Sequence, residues 1–563
     1  MTFARGAYLL ASLMMAGSSD PFLQEGVRIS MRDGIRLSAN LFRPAKSGRY
    51  STLLIRTPYG KGDGLLPGYK PFLDAGFVVL IQDVRGRYGS EGSFRPLTQE
   101  RPDGQDTLRW IVRQPWSDGS IGMLAGSYLG TVQWQAALSE DPHLRAIFPI
   151  VAGNDEYRDR FYSRGGAMKL GHRLTWLADN LRTPNTAVRP LQSYIWHLPL
   201  RTIDGAATGR RLEVWQEALN HPAYDEFWRA RSTRQQIGKV HAPAFIVGGW
   251  YDNYAESDLD AFTLVSRNSA VNRIVIGPWP HNMTGPFESV DFGPESGAPI
   301  RRYQLNWFQY WLRTPQPAPE FPMAPVRIFV MGANKWRDER EWPLRRTRYT
   351  PWYLSSRNGA NSLRGDGALL SDPRTPDKDE FTYDPKRPAP THGGAVCCNP
   401  KAIAWGPLDQ RRVEERDDVL VYTSAPLRQD LEVTGPVRAV LFVSTSARDT
   451  DFTAKLVDVF PDGQARNLCD GILRLRYRES LERPALAKPG EIYEITVEAG
   501  VTSNVFKAGH RVRLEVSSSN FPRFDRNPNT GRPLADETEL RTARQTVYHG
   551  HSYPSYMLLP VVP

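Results

Sequence analysis

Ser120-Ile-Gly-Met-Leu-Ala-Gly126-Ser127-Tyr128-Leu-Gly130 is the stretch on which the reading of this chain turns. Ile121–Leu124 is a short apolar run that reads as a buried strand, and Leu129–Ser139 has helical spacing. Between them lie small residues around a central serine. A strand, a tight turn and a helix, with serine at the turn, is the setting a nucleophile elbow requires. Small neighbours let the backbone turn sharply, so that the hydroxyl stands clear of the sheet. The helix N-terminus behind it favours developing negative charge. A small-x-Ser-x-x-Gly string also occurs in ordinary strand-to-helix turns, so the motif needs partners elsewhere in the chain.

Working outward, Thr52–Ile55, Phe77–Ile81, Ile147–Val151, Ala244–Val247 and Ile274–Ile276 read as further buried strands. Helical stretches such as Pro102–Arg113 separate them. Strands alternating with helices predict an α/β fold with a parallel sheet. Ahead of them, the alternating segment from Val27 through Asp33-Gly34 predicts a hairpin with a type I′ turn. The strand–helix alternation breaks between about Asn154 and Lys239, where Arg, Trp, Leu and Tyr recur at helical spacing. It resumes and runs to the apolar helix Tyr303–Leu312. Beyond Arg346 turn clusters and short β-type runs take over: Val419–Thr423, Val437–Ser444, Ile492–Val497, Val512–Val516 and Gln545–Tyr548. The predicted organisation is a parallel α/β-sheet domain over 25–152 and 240–346, a helical insertion over 153–239, and an all-β domain, most simply a sandwich or jelly roll, over 347–563.

Composition narrows the function classes. Of 563 residues, 40% are hydrophobic and 23% charged, which argues against wholesale disorder. The net charge is +10, but the basic residues are scattered rather than gathered into a stripe, so a nucleic-acid partner is not expected. Three cysteines are too few for a disulfide scaffold, and the adjacent Cys397 and Cys398 are expected to strain if bridged. No His/Cys/Asp set shows metal-ligand spacing, so neither a metal nor a cofactor is expected. Gly6–Ser19 is uncharged, preceded by Arg5 and followed by Asp20. It is shorter than the roughly 20 residues of a membrane span. It reads as a signal peptide over 1–19, with the mature chain secreted or periplasmic. The alternative is a docked terminal helix or a frayed tail, on a cytoplasmic protein. Homo-oligomerisation is left open.

An elbow serine needs a base, and a carboxylate to orient that base, in the chain order Ser, Asp, His. Ala244-Phe-Ile-Val-Gly-Gly-Trp-Tyr251-Asp252 is a strand ending in an aspartate, and Ile274-Val-Ile-Gly-Pro-Trp-Pro-His281 is a strand ending at a histidine. The other nine histidines fall elsewhere: His143, His172, His197, His221 and His241 in helical or linker stretches, where surface or satisfied core roles are expected, and His392, His510, His549 and His551 in the β domain. The candidate catalytic residues are therefore Ser127, Asp252 and His281. The backbone N–H of Tyr128 is one candidate oxyanion donor. Tyr59 ends the strand Leu53-Leu-Ile-Arg-Thr-Pro-Tyr59; residues alone favour a packed surface tyrosine there.

The chain resembles the cocaine-esterase-type and X-prolyl dipeptidyl aminopeptidase superfamily of serine hydrolases. The strings that carry the resemblance are Arg56-Thr-Pro-Tyr59-Gly-Lys61, Asp83-Val-Arg85-Gly86-Arg-Tyr-Gly-Ser90-Glu-Gly92, Gly126-Ser127-Tyr128-Leu-Gly130, Gly249-Trp-Tyr-Asp252, Gly277-Pro-Trp-Pro-His281 and Ser517 through Gly531. The resemblance implies an α/β-hydrolase domain over 25–152 and 240–346 with a helical cap inserted over 153–239 and a C-terminal jelly-roll domain over 347–563, with Ser127 as nucleophile, His281 as base, Asp252 as its orienter and the Tyr59 hydroxyl as an oxyanion donor beside the Tyr128 amide. One departure is Ala125, where the family usually has glycine. A methyl is tolerated there if the backbone needs no positive φ.

The superfamily includes ester hydrolases, β-lactam side-chain acylases, α-amino-acid ester hydrolases and Xaa-Pro dipeptidyl-peptidases, the last two holding a substrate ammonium with carboxylates. Asp155, Glu156, Asp159 and Asp179 of the cap read as a solvated helix face. Trp250, Tyr251, Tyr254 and Trp279 near the motifs, with Trp176, Trp196 and Trp215 in the cap, suggest an apolar acyl pocket among core residues. The expected substrate is a small-molecule ester of a medium-sized or aromatic acid, with an amide or Xaa-Pro peptide as the alternative. A non-catalytic carbohydrate-binding jelly-roll protein is the competing class; it would be expected to carry a broken triad.

Overall fold

Apolar runs with no polar face need cover on both sides, and the chain provides it. The computed structural model describes residues 22–285, 287, 289–374 and 376–563, so the expected signal segment lies outside the described residues. Ten strands form the first sheet: β1 (Phe22–Ser30), β2 (Arg36–Pro44), β3 (Tyr50–Thr57), β4 (Val78–Asp83), β5 (Ser117–Gly126), β6 (Leu144–Ile150), β7 (Phe245–Tyr251), β8 (Arg273–Pro280), β9 (Val326–Val330) and β10 (Lys335–Glu339). Their spatial order is β1-β2-β4-β3-β5-β6-β7-β8-β9-β10. From β4 to β9 every neighbour is parallel, with antiparallel pairs at both ends. Every residue of β4 and β7 is buried. On one face the helix Ile300–Leu312 lays Trp307 and Phe308 against Phe245 and Phe148, with ring centroids 5.4 and 6.4 Å apart. Each such buried side chain contributes roughly 1.5–3 kcal/mol by removal from water.

The β1–β2 hairpin forms around Asp33-Gly34, but not with the expected type I′ turn. Gly34 has φ 85°, whereas Asp33 does not take positive φ. The Gly34 N–H donates to Met31 C=O and the Met31 N–H to Ile35 C=O. That is a type I turn closed by a left-handed glycine, which needs one positive φ where type I′ needs two.

Between β6 and β7 lies the inserted helical segment, whose longest helix is Leu170–Leu181. It buries Tyr157, Tyr162, Trp215 and Trp228. Its charged residues are not the solvated face expected from sequence. Asp155, Glu156, Asp159, Arg160 and Arg173 are all buried, and Asp179 is half-buried. Pairing of opposite charges and backbone N–H donors makes that burial tolerable: the Asp159 Oδ2 accepts from the Asn154 and Asp155 N–H groups and the Ser257 hydroxyl.

The C-terminal region is all-β, with eleven strands in one connected, almost wholly antiparallel array. Its loops are tied to the cap through the main chain. The Arg474 N–H donates to Gly165 C=O, Asp525 N–H to Met168 C=O and Gly171 N–H to Pro522 C=O. The Asp525 carboxylate accepts from the Met168 N–H at 2.7 Å and from the buried Arg474 guanidinium at 2.8 Å. Cys397 and Cys398, expected to strain if bridged, are joined to each other, and Cys469 is free and buried.

Candidate active site

Three strands end at the candidate residues. Ser127 is the first residue after β5, Asp252 the first after β7 and His281 the first after β8. The carboxyl ends of parallel strands are where such sheets assemble sites, because the loops there converge. The His281 Nε2 lies 3.1 Å from Ser127 Oγ, and its Nδ1 lies 2.7 Å from Asp252 Oδ1. Asp252 is fully buried and its second oxygen accepts from the Tyr254 N–H at 3.2 Å, so the carboxylate is held from both sides. The Tyr254 ring meets that of His281 edge-on, 5.5 Å between centroids.

The elbow is strained where sequence left the question open. Ser127 has φ 58° and ψ −125°, and Ala125 has φ 115°. The condition under which a methyl at Ala125 is harmless therefore fails: the backbone does need positive φ, a region L-residues rarely adopt. Close approach explains the glycine behind the serine. A Cβ on Gly130 would stand 2.6 Å from the Ala152 Cβ, so only glycine lets the helix Tyr128–Ala137 sit this close to the loop after β6.

Tyr128 opens that helix, so its N–H has no partner within the helix. Its ring stacks on Trp176 and its hydroxyl donates to Glu100 Oε1 at 2.7 Å while accepting from the Leu97 N–H. Burial pushes the Tyr128 phenol well up, and burial likewise raises Glu100 despite its ion pair with Arg56 at 3.1 Å. Tyr59 stands just past β3 and leaves 38% of its surface to solvent, which fits the surface-tyrosine reading. Its hydroxyl, however, turns inward and accepts from the buried Trp176 Nε1 at 3.1 Å. Burial raises its pKa, and Trp176, Arg160 and Ser127 oppose that rise.

Of the aromatic residues singled out from sequence, Trp176 and Tyr254 reach the site. Trp215, Trp250 and Tyr251 are core, and Trp250 Nε1 donates to Phe329 C=O. Trp279 packs toward the Ile300–Leu312 side of the sheet, and Trp196 is exposed. Sequence reasoning missed Arg160, which stacks over Tyr254 at 5.2 Å and donates to Thr131 Oγ1. It also missed Asp258, which accepts from the Ala152 and Gly153 N–H groups beneath the site and whose carboxyl burial pushes well up. Both lie on helices with no strand-end signal. Among the histidines expected in satisfied roles, His143, His197 and His221 each have a partner. His172 does not: it is buried with Nδ1 unpaired, and burial holds its pKa well below the usual value.

A parallel sheet with serine, aspartate and histidine at the ends of β5, β7 and β8 defines a serine hydrolase of the α/β type, and the comparisons agree. A family described as X-Pro dipeptidyl-peptidase (S15 family) matches residues 33–283, and its C-terminal non-catalytic domain matches residues 322–558. The chain belongs to this family. It is 42% identical over 565 residues to the cocaine esterase of Rhodococcus sp. (strain MB1 Bresler), covering 95% of this chain and 98% of that protein. Among solved structures, an aminopeptidase from the marine sediment archaeon Thaumarchaeota archaeon is similar with TM-score 0.85 at 25% identity, covering 96% of this chain and 97% of that one. An α-amino acid ester hydrolase shares the fold with TM-score 0.82 at 24% identity, covering 99% and 98%.

Proposed function

We propose that the protein hydrolyses carboxylic esters through an acyl-enzyme, with Ser127 as nucleophile, His281 as general base and Asp252 as its orienter. The observation that carries this reading is the relay of 3.1 Å from Oγ to Nε2 and 2.7 Å from Nδ1 to a buried carboxylate. As Ser127 Oγ attacks the carbonyl carbon, Nε2 takes its proton, and Asp252 stabilises the resulting imidazolium. The Tyr128 N–H and the Tyr59 hydroxyl donate to the oxyanion. His281 then returns the proton to the departing alkoxide, and a water repeats the sequence in reverse to release the acid.

The surroundings favour esters of apolar acids. The Trp176 and Tyr59 rings gather on that of Tyr128, next in sequence to the serine, and the Tyr254 ring meets His281. Of the cap carboxylates that could have held a substrate ammonium, Asp155 accepts from the Tyr224 hydroxyl and Asp159 from main-chain donors, whereas Glu156 is buried with its Oε2 unpartnered and Asp179 is half-buried. The relative named a cocaine esterase supports the same preference.

The test compares hydrolysis of a p-nitrophenyl ester of an aromatic acid with that of a Gly-Pro anilide. Faster ester cleavage is expected. A preference for the anilide assigns an Xaa-Pro dipeptidyl-peptidase instead, and inertness to both a binding protein. Ser127→Ala should lower kcat on the order of 10⁶-fold with the fold intact. Retention of more than a few per cent of activity would overturn the assignment of the nucleophile.

A further inference from the structure

The disulfide-joined Cys397 and Cys398 lie in a β-domain loop packed on the first turn of the cap helix Leu170–Leu181. The packing is close: a Cβ on Gly171 would stand 2.5 Å from Ile403 Cδ1 in the same loop. His172, on that turn, brings a ring nitrogen within 4.8 Å of both sulfurs. It is only 3% exposed, and its Nδ1 has no hydrogen-bond partner. A buried ring nitrogen left unpaired in a native structure calls for an explanation such as a ligand. None of these three residues has a part in the hydrolytic relay. His172 and Cys397 are 225 positions apart in sequence, so no spacing motif could have flagged them.

We propose that, once reduced, Cys397 and Cys398 together with His172 bind one thiophilic metal ion, of which zinc(II) is the representative tested. Two thiolates and an imidazole are the protein ligands of three-coordinate zinc sites that keep a fourth position open. Thiolates select soft ions over magnesium or calcium. Entry into this state requires a dithiol reductant. Two electrons and two protons pass to the Cys397–Cys398 bond, two thiols form, and the reductant leaves as its own disulfide. Binding of the ion then releases the two thiol protons. The oxidised pair, with no thiolate to offer, does not bind. The His172 ring is 6.2 Å from that of Tyr254, which in turn meets His281, so the ion sits two side chains from the candidate base.

The test is carried out on the full chain, reduced under argon and freed of reductant, and on the same chain air-oxidised. Cobalt(II) is the spectroscopic probe and zinc(II) competes for it. The reduced chain is expected to take up one equivalent with a thiolate-to-cobalt charge-transfer band, and the oxidised chain none. Cys397→Ser and Cys398→Ser should each abolish the band, His172→Ala should weaken binding about tenfold or more, and Cys469→Ser should change nothing. The comparison of redox states needs no substitution, so misfolding of a variant leaves the proposal open to refutation. Absence of binding by the reduced chain, equal binding by the oxidised chain, or a band that survives both Cys397→Ser and Cys398→Ser overturns it.

Discussion

Tyr59→Phe removes one oxygen, and the structure states what that oxygen does. It accepts from Trp176 Nε1 at 3.1 Å, which leaves the phenolic proton free to be donated. If that proton goes to the oxyanion, its bond strengthens as charge develops on the carbonyl oxygen. Loss of one such donor costs about 10²–10³ in kcat, or roughly 3–4 kcal/mol. The ground-state carbonyl carries little charge, so KM should move far less than kcat. A second effect follows from the same bond. The indole N–H of Trp176, a residue only 8% exposed, loses its partner, which costs about 1–3 kcal/mol of stability. The assay is steady-state hydrolysis of one activated ester beside a thermal melt. Trp176→Phe provides the companion: it should lower kcat in the Tyr59 protein, and by much less in the Tyr59→Phe background, because the indole acts through the phenol. A Tyr59→Phe enzyme with kcat within a few-fold of the parent, whatever its melting point, refutes the donor role and returns Tyr59 to a packing residue.

Ala125→Gly should raise the midpoint of thermal unfolding, since relief of a positive-φ alanine is worth about 1–3 kcal/mol against the smaller entropic cost of glycine; a lowered midpoint would show that the elbow is not strained there. Gly130→Ala should destabilise by about 1–3 kcal/mol or more, because its methyl meets Ala152 at 2.6 Å, and urea unfolding reads the loss. Glu414 is pushed up to about 8 by burial and then by Glu515, against the pull of Arg513. Its folded pKa lies above its unfolded value near 4.5, so the folded state holds the extra proton and stability falls as pH rises through that window. Glu414→Gln should flatten this slope between pH 4.5 and 8 in denaturant titrations; an unchanged slope assigns the dependence to other groups.

The candidate site was legible because its three residues follow strands with buried apolar runs. Ile121–Leu124, Ala244–Val247 and Ile274–Ile276 announce buried parallel strands, and the chemistry sits one residue past each true end. Much of the β domain was less legible. The strand Asp451–Val459 carries Asp451, Lys455 and Asp458 and looks like surface, yet it is almost wholly buried because Arg474, Glu515 and His510 neutralise those charges from other strands. The cap failed in the same manner: a carboxylate beside arginines in sequence gives no sign whether water or protein surrounds them. Ala125 failed differently, since φ is a property of the turn and not of the residue that happens to occupy it. Tyr59 was ambiguous because a tyrosine can present its ring edge to solvent and its hydroxyl to the interior at once.

The main-chain ties at Gly165, Met168 and Gly171 set the terms on which this enzyme can be remodelled. Residues that shape the acyl site ride on a helix whose first turn is fastened to loops some 300 or more positions later in the chain. Transplanting a cap from a relative without its β domain would put four amide hydrogen bonds at risk, among them that of the Met168 N–H to the Asp525 carboxylate, which would then keep only the Arg474 guanidinium of its two donors. Diversification of substrate range is therefore best confined to the later cap helices, with Trp176 kept for its bond to Tyr59 and with 163–173, Arg474 and 520–525 inherited together as one module.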